Sequence, residues 1–382
     1  MKQHSTTSIN SPNSKIFKKN ASLYKMTPLT KNPLTGLLIA VVTTLIFIRT
    51  GLVPNYSLGS IIGITIVAWL AAENGGNDVS KGVAPLVASG AAKEWTALIY
   101  GAIVTAFGGT LSIYFAIKLL KLFTGGLINS NYEVNTIMAL SMAIGATLWV
   151  ALATRFSLPV STTHSIVGSV IMVGCVALGV SSVVWSSLVS KVVMPLLLSP
   201  LLGLSIAWAL TFLIQFIKLP SSAGKGITWV SSGAICFVRA VNDTPKIVAI
   251  TALVAITSIN IKNIDALFPL FLLVTVSMSI GSLVKGVSVT QLLARKVAQL
   301  DNQSSVSSVL TTTVLVMASS QLGLPVSTTH VSTTAIIGAG LRKNKNAVNW
   351  SVVRDMVLSW IVTLPGAGIL GILAYYILTF VK

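Results

Sequence analysis

From Leu34 to Val381 the chain is a succession of long apolar stretches broken only by short polar linkers. The stretches are 34–53, 58–72 continuing past a polar break to 89, 96–122, 136–154, 165–181, 184–217, 226–256, 265–284, 306–320, 331–341 and 351–380. A helix needs about 20 apolar residues to cross a bilayer, and several of these have them. Only 9% of the 382 residues are charged, far below the roughly 25% of soluble domains. No soluble enzyme, disulfide scaffold or disordered chain fits that pattern. The expected fold is an all-α polytopic membrane protein in contact with lipid, with about ten to twelve membrane segments. Those beside Ser161 and Ser327 are short enough to be re-entrant half-helices. Pro195 and Pro200 are expected to kink the stretch 184–217.

Lysine and arginine number 26 against eight aspartates and glutamates, a formal net charge of +18. In a soluble domain such an excess would point to nucleic acid. Here the basic residues lie mostly between apolar segments, so nucleic acid is not an expected partner. The positive-inside rule explains them, and it places the linkers 285–305 and 342–346 on the cytoplasmic side. Residues 1–33 carry six lysines and no acid, and read as a disordered basic tail. The expected location is an integral, multi-pass position in the plasma membrane, with an organellar membrane left open. The two cysteines, Cys175 and Cys236, sit in apolar runs as small packing residues, and no metal cluster or disulfide framework is visible.

Two motifs occur twice. Asn77-Asp78-Val79-Ser80-Lys81 is matched by Asn242-Asp243-Thr244-Pro245-Lys246. Leu158-Pro159-Val160-Ser161-Thr162-Thr163-His164 is repeated without change as Leu324-Pro325-Val326-Ser327-Thr328-Thr329-His330. The order is kept, and the separation from Asn to Ser is 84 residues in one copy (161 − 77) and 85 in the other (327 − 242). A duplicated membrane domain follows, with repeats at 34–183 and 184–382.

The chemistry of the motifs points to transport. A carboxylate in a bilayer must face a cavity, a cation or a partner, so Asp78 and Asp243 are candidate cation sites, with Asn77 and Asn242 beside them and Na⁺ as a candidate occupant. The alternative is an internal salt bridge to the lysine three residues on. Gly75-Gly76 and Pro245 are helix breakers and suggest unwound mid-membrane segments. Proline opens helices and Ser/Thr cap them, so Ser161 and Ser327 should sit at helix starts. Free N–H groups and the hydroxyls of Ser161, Thr162, Thr163, Ser327, Thr328 and Thr329 then form an anion site. His164 and His330 lack the neighbours of a metal site and read as structural, with a proton relay as the alternative. Lys81 and Lys246 share a helical face with their aspartates, where an ammonium can neutralise the carboxylate and face an oxyanion.

The duplicated motifs resemble those of the inorganic phosphate transporter (PiT) family of secondary carriers, over the region from about Leu34 to the C-terminus. The resemblance implies an inverted repeat with broken helices and re-entrant hairpins, and often a homodimer. It implies symport of inorganic phosphate with Na⁺ or H⁺, without a resident cofactor. It places the site at Asn77, Asp78, Ser161, Thr162, Thr163, Asn242, Asp243, Ser327, Thr328 and Thr329. One departure stands out. The family pattern Gly-Ala-Asn-Asp-Val-Ala-Asn ends in a second asparagine, and here Lys81 and Lys246 occupy that place. The expected function is therefore phosphate transport, with another oxyanion such as sulfate, or an anion channel, as the alternative. An enzyme is not expected, since no nucleophile with its base is visible.

Overall fold

A computed structural model of the chain describes residues 28–53, 57–216, 223–254, 264–296, 302–344 and 348–381. These residues form thirteen principal helices. They are α1 (Pro33–Arg49), α2 (Leu58–Ala88), α3 (Glu94–Phe115), α4 (Ile117–Gly125), α5 (Thr136–Arg155), α6 (Thr162–Leu178), α7 (Met194–Ile214), α8 (Ala223–Val254), α9 (Ile264–Lys285), α10 (Val287–Lys296), α11 (Asn302–Leu322), α12 (Thr328–Lys343) and α13 (Trp350–Val381).

Local chemistry sets several of the starts. The side chains of Asn32, Asn135, Ser161 and Ser327 each accept a hydrogen bond from a backbone N–H in the first turn of α1, α5, α6 and α12. Stretches around α2, α3, α5, α7, α9, α11 and α13 are long and apolar enough to cross a membrane, and α1 and α6 are shorter apolar helices. The outer faces carry exposed Leu34, Leu197, Leu201, Ile361 and Phe380, an apolar surface suited to lipid. The protein is an integral, multi-pass membrane protein.

The duplication is visible in the packing. In the first half α2 packs on α5 and α5 on α6; in the second α8 packs on α11 and α11 on α12. Each long central helix also crosses to the other half, α2 onto α9 and α8 onto α3. The two central helices run antiparallel. Along α2, Gly63 faces Val254, Asn74 bonds Asp243, and Gly82 faces Cys236 of α8, so one numbering rises as the other falls. Antiparallel equivalents in one sheet of helices are what an inverted repeat produces. One element departs from it: α7 lies on α12, but the matching place on α6 is taken by α13, while α1 packs on α2 and α9.

Several expectations are corrected. Residues 1–27 of the expected basic tail lie outside the described residues, and of the rest Pro28–Lys31 form a helical turn and α1 begins at Pro33. Asn32 caps α1 and Pro33 pre-sets its first turn. The Asn-Asp segments are not unwound, because α2 and α8 run unbroken through them. Gly75 and Gly76 are contact points: Gly75 meets the Met278 carbonyl, Gly76 meets Lys285, and across the same seam Gly281 meets Ala72. Glycine is kept there because a Cβ would strike the neighbouring backbone. The chain breaks instead just before Ser161 and Ser327, between α5 and α6 and between α11 and α12. A π-helical stretch, Leu188–Val193, leads into α7 directly before Pro195. Lys285, read as the start of a polar linker, is buried at the end of α9.

Candidate functional site

The site forms where the two interrupted hairpins meet. The turns after α5 and α11 carry Ser157 (φ 59°) and Gly323 (φ 75°), the same place in the two repeats, both left-handed. This turn drops the chain into the extended Pro-Val segments that precede α6 and α12. Thr163 donates to the Val326 carbonyl at 3.3 Å, and Thr329 donates to the Val160 carbonyl at 2.8 Å. These reciprocal bonds hold the two hairpin tips together. The N-termini of α6 and α12 thus converge, and each brings about half a positive charge and first-turn N–H groups without partners in their own helix. Two such ends side by side repel unless negative charge lies between them.

α2 and α8 supply that charge. Asp78 and Asp243 are 1% and 2% exposed. The Lys81 ammonium lies 2.5 Å from Asp78 Oδ1 and 3.4 Å from Thr328 Oγ1, and Thr328 donates to Asp78 Oδ2 at 3.1 Å. The Lys246 ammonium donates to Asp243 Oδ1 at 2.9 Å, Asn242 Oδ1 at 2.5 Å and Thr163 Oγ1 at 2.7 Å. Each lysine therefore bonds its own repeat's aspartate and a threonine from the other repeat's hairpin. Neither lysine snorkels to a membrane surface. The salt bridges considered from sequence are present, and they lie inside the site.

Other expected residues take different places. The Asn77 amide braces its own hairpin: it donates to the Leu158 carbonyl at 2.9 Å and Thr154 at 3.2 Å, and accepts from Val160 N–H at 3.1 Å. Asn242 donates to Ser320 at 2.8 Å and accepts from Lys246. Ser161 and Ser327 are helix caps, accepting from His164 N–H and His330 N–H at 3.2 and 3.3 Å. The His164 and His330 rings lie 4.7 Å apart, and Trp360 of α13 stacks on His330 at 4.0 Å. Among the described residues no group of three His, Cys, Asp or Glu side chains is placed to hold a metal ion.

Four residues escaped the sequence reading. Asn74 lies one turn before Asp78 and donates to Thr162 Oγ1 at 2.7 Å and Asp243 Oδ2 at 3.3 Å. Its spacing of three from Asn77 was the available signal. Glu73 and Lys285 form a buried ion pair at 2.7 Å that ties α2 to α9, with Lys285 also donating to the Asn32 carbonyl at 2.8 Å. Arg239, wholly buried on α8, was visible only as a charge in an apolar run.

Two ammonium–carboxylate pairs, the Asn74 amide and threonine hydroxyls from both repeats thus meet at the junction of two helix N-termini. Every side chain among Asn74, Asp78, Lys81, Thr162, Thr163, Asp243, Lys246, Thr328 and Thr329 is at most 5% exposed. A buried, donor-rich centre between antiparallel repeats defines a membrane carrier for an anionic solute. The chain belongs to the phosphate transporter family, whose sequence profile matches residues 74–230 and 221–371. It is 26% identical over 328 residues to a Mycobacterium bovis protein named "Probable low-affinity inorganic phosphate transporter", covering 83% of this chain and 78% of that one. A Rhizobium meliloti protein of the same name is 24% identical, with 79% and 91% covered. Among solved structures, one named "The sodium-dependent phosphate transporter" superposes with a TM-score of 0.74 at 24% identity, covering 85% of this chain and all of the other. By its family the chain is a transporter and not an enzyme.

Proposed function

We propose that the chain carries inorganic phosphate across its membrane by alternating access around the site between α2, α6, α8 and α12, with the Lys81 and Lys246 ammonium groups standing where coupling cations would otherwise bind Asp78 and Asp243. One observation carries this reading. Each carboxylate is already bonded to an ammonium that also reaches a threonine of the opposite hairpin. In this reading the threonine hydroxyls, the Asn74 amide and the N–H groups of α6 and α12 take the phosphate oxygens. The lysines hold the aspartates neutral as the anion enters and leaves. Uptake then has no strict need for Na⁺, and a proton is the coupling ion. Opening to one side requires one hairpin tip to part from the other, breaking the paired bonds Thr163–Val326 and Thr329–Val160.

A second reading keeps Na⁺ as the coupling ion, displacing the ammonium groups. The sodium dependence for which the structural relative is named favours it. Reconstitution into liposomes separates the two. Labelled phosphate and sulfate are offered under a Na⁺ gradient, a proton gradient and no gradient. Phosphate uptake driven by protons in Na⁺-free buffer supports the first reading. Strict dependence on Na⁺ overturns it, and uptake of sulfate in preference to phosphate overturns the substrate. Cross-linking in the membrane tests the accompanying proposal that two copies assemble as a dimer.

A further inference from the structure

Seven charged side chains are buried in the described interior: Glu73, Asp78, Lys81, Arg239, Asp243, Lys246 and Lys285. Six form three ion pairs, Lys81–Asp78, Lys246–Asp243 and Lys285–Glu73. Arg239 is left over. Its guanidinium is 0% exposed and hydrogen-bonds only to neutral groups, with the Asp78–Lys81 pair of the site within electrostatic reach. It donates to Thr105 Oγ1 of α3 at 2.5 Å, to Ser282 Oγ of α9 at 3.1 Å and toward Met278 Sδ at 3.8 Å, and its Nε has no partner. Among the described residues the interior therefore holds four cationic side chains against three carboxylates, one positive charge in excess. An uncompensated buried charge is among the costliest features a protein can keep.

Its position gives the charge a use. Arg239 precedes Asp243 by four residues on α8, so the two share a helical face about one turn apart. Asn74 holds the equivalent place in the other repeat, four residues before Asp78, and its amide reaches into the site. The two hydroxyls that flank Gly109 on the same three helices, Thr244 Oγ1 and Thr275 Oγ1, are also buried without a partner. A guanidinium fork matches two oxygens of a tetrahedral oxyanion better than it matches two hydroxyls on different helices.

We propose that Arg239 is an anion-binding residue of the loaded carrier: two oxygens of the substrate replace Thr105 and Ser282 on its guanidinium, and the single negative charge of dihydrogenphosphate cancels the unpaired positive charge. The inference rests on the phosphate reading above and adds to it the ionic form of the substrate. A monoanion leaves the interior neutral, whereas the dianion leaves it negative.

The test uses purified, full-length protein with inorganic phosphate. Uptake KM and kcat are measured in liposomes at pH 6 and pH 8, and phosphate-induced stabilisation is measured in detergent. Arg239→Gln is expected to raise KM at least tenfold, to leave kcat per folded molecule within about threefold, and to lose the stabilisation. Arg239→Lys should recover part of the affinity. Thr105→Val, which removes a resting partner of the guanidinium, should lower KM by about two- to fivefold. Wild-type KM in total phosphate should climb from pH 6 to pH 8 as the monoanion is depleted, and the Gln variant should lose that slope. An Arg239→Gln carrier that melts earlier but keeps wild-type KM and pH slope overturns the proposal in favour of a structural role. If the Gln variant does not fold, an unchanged KM in both Arg239→Lys and Thr105→Val overturns it. A wild type that takes up sulfate and not phosphate sinks the phosphate reading instead, and the same variants scored on sulfate KM then decide the role of Arg239.

Discussion

Replacing Lys246 by Asn restores the residue of the family pattern and tests what the ammonium does. The substitution removes bonds of 2.5, 2.7 and 2.9 Å to Asn242, Thr163 and Asp243. It leaves the Asp243 carboxylate, 2% exposed, without its own ammonium, with the Asn74 amide still donating to it and Lys81 within electrostatic reach. Breaking a buried ion pair from one side costs about 3–5 kcal/mol, a large share of the roughly 5–15 kcal/mol that holds a typical domain folded. If the ammonium stands in for a cation, Na⁺ can now fill the vacated position. Binding to the folded state alone at about 100 times its Kd returns about 2.7 kcal/mol. The assay is thermal unfolding in detergent, comparing NaCl with choline chloride at equal ionic strength, alongside phosphate uptake in the two salts. Lys246→Asn should be strongly destabilised in choline and substantially recovered in Na⁺, and its uptake should become Na⁺-dependent. Wild type should be indifferent to the exchange. Adding Asp243→Asn should return much of the lost stability, because no bare charge then remains. Equal responses of wild type and variant to Na⁺ would refute the reasoning, as would a variant no less stable than wild type in choline.

Three further outcomes follow from the same geometry. Asp78→Asn and Asp243→Asn should each abolish phosphate uptake while the protein still inserts, as measured by membrane fractionation and liposome flux, since each leaves a buried ammonium without its carboxylate. Thr162→Val or Thr328→Val should raise phosphate KM with little change in ion dependence. Losing one donor to a charged group is worth about 1.5–3 kcal/mol, or roughly 10- to 150-fold. Gly281→Ala should destabilise the folded protein by about 1–3 kcal/mol in a thermal or denaturant assay, because the added methyl meets the Ala72 carbonyl across the α2–α9 seam.

The repeat was legible in the sequence because each motif is local: seven residues, Leu158–His164, recur intact as Leu324–His330. So were the helix starts at Ser161 and Ser327, which follow from proline and hydroxyl chemistry within one turn. The broken helices were misplaced, since Gly75-Gly76 and Pro245 look the same in sequence whether they interrupt a helix or let another one close in. Tertiary contact with Met278 and Lys285 settles that question, and no local pattern carries it. The partners of Lys81 and Lys246 were half visible. Spacing gives the aspartate three residues back, but Thr328 and Thr163 come from 247 and 83 residues away. Glu73–Lys285 was invisible for the same reason, being a pair across 212 residues.

The places where the two repeats differ bear on how the carrier works. In a perfect inverted repeat, exchanging the conformations of the two halves turns the outward-open state into the inward-open one, so the two have equal energy in a symmetric membrane. Each departure from symmetry removes that equality. The Asn77 amide clamps the first hairpin through Leu158 and Val160, while its mate Asn242 is spent on Ser320 and Lys246. Glu73–Lys285 ties α2 to α9, whereas α8 has Val238 where α2 has Glu73, and α3 has no basic residue in its last turn, where α9 has Lys285. α6 is backed by α13 and α12 by α7. Asn77–Thr154 and Asn242–Ser320 thus match, but the amide bonds to Leu158 and Val160 at the first hairpin's turn, and the ion pair that fixes α2 to α9, have no match in the second repeat among the described residues. Rearrangement costs most where buried polar bonds must break without water to replace them. The second hairpin is held instead largely by bonds that cross between the repeats, with Thr163 on the Val326 carbonyl, Thr328 on Asp78 and Thr329 on the Val160 carbonyl, beside Lys246 on Val326 and Asn242 on Ser320 from its own repeat.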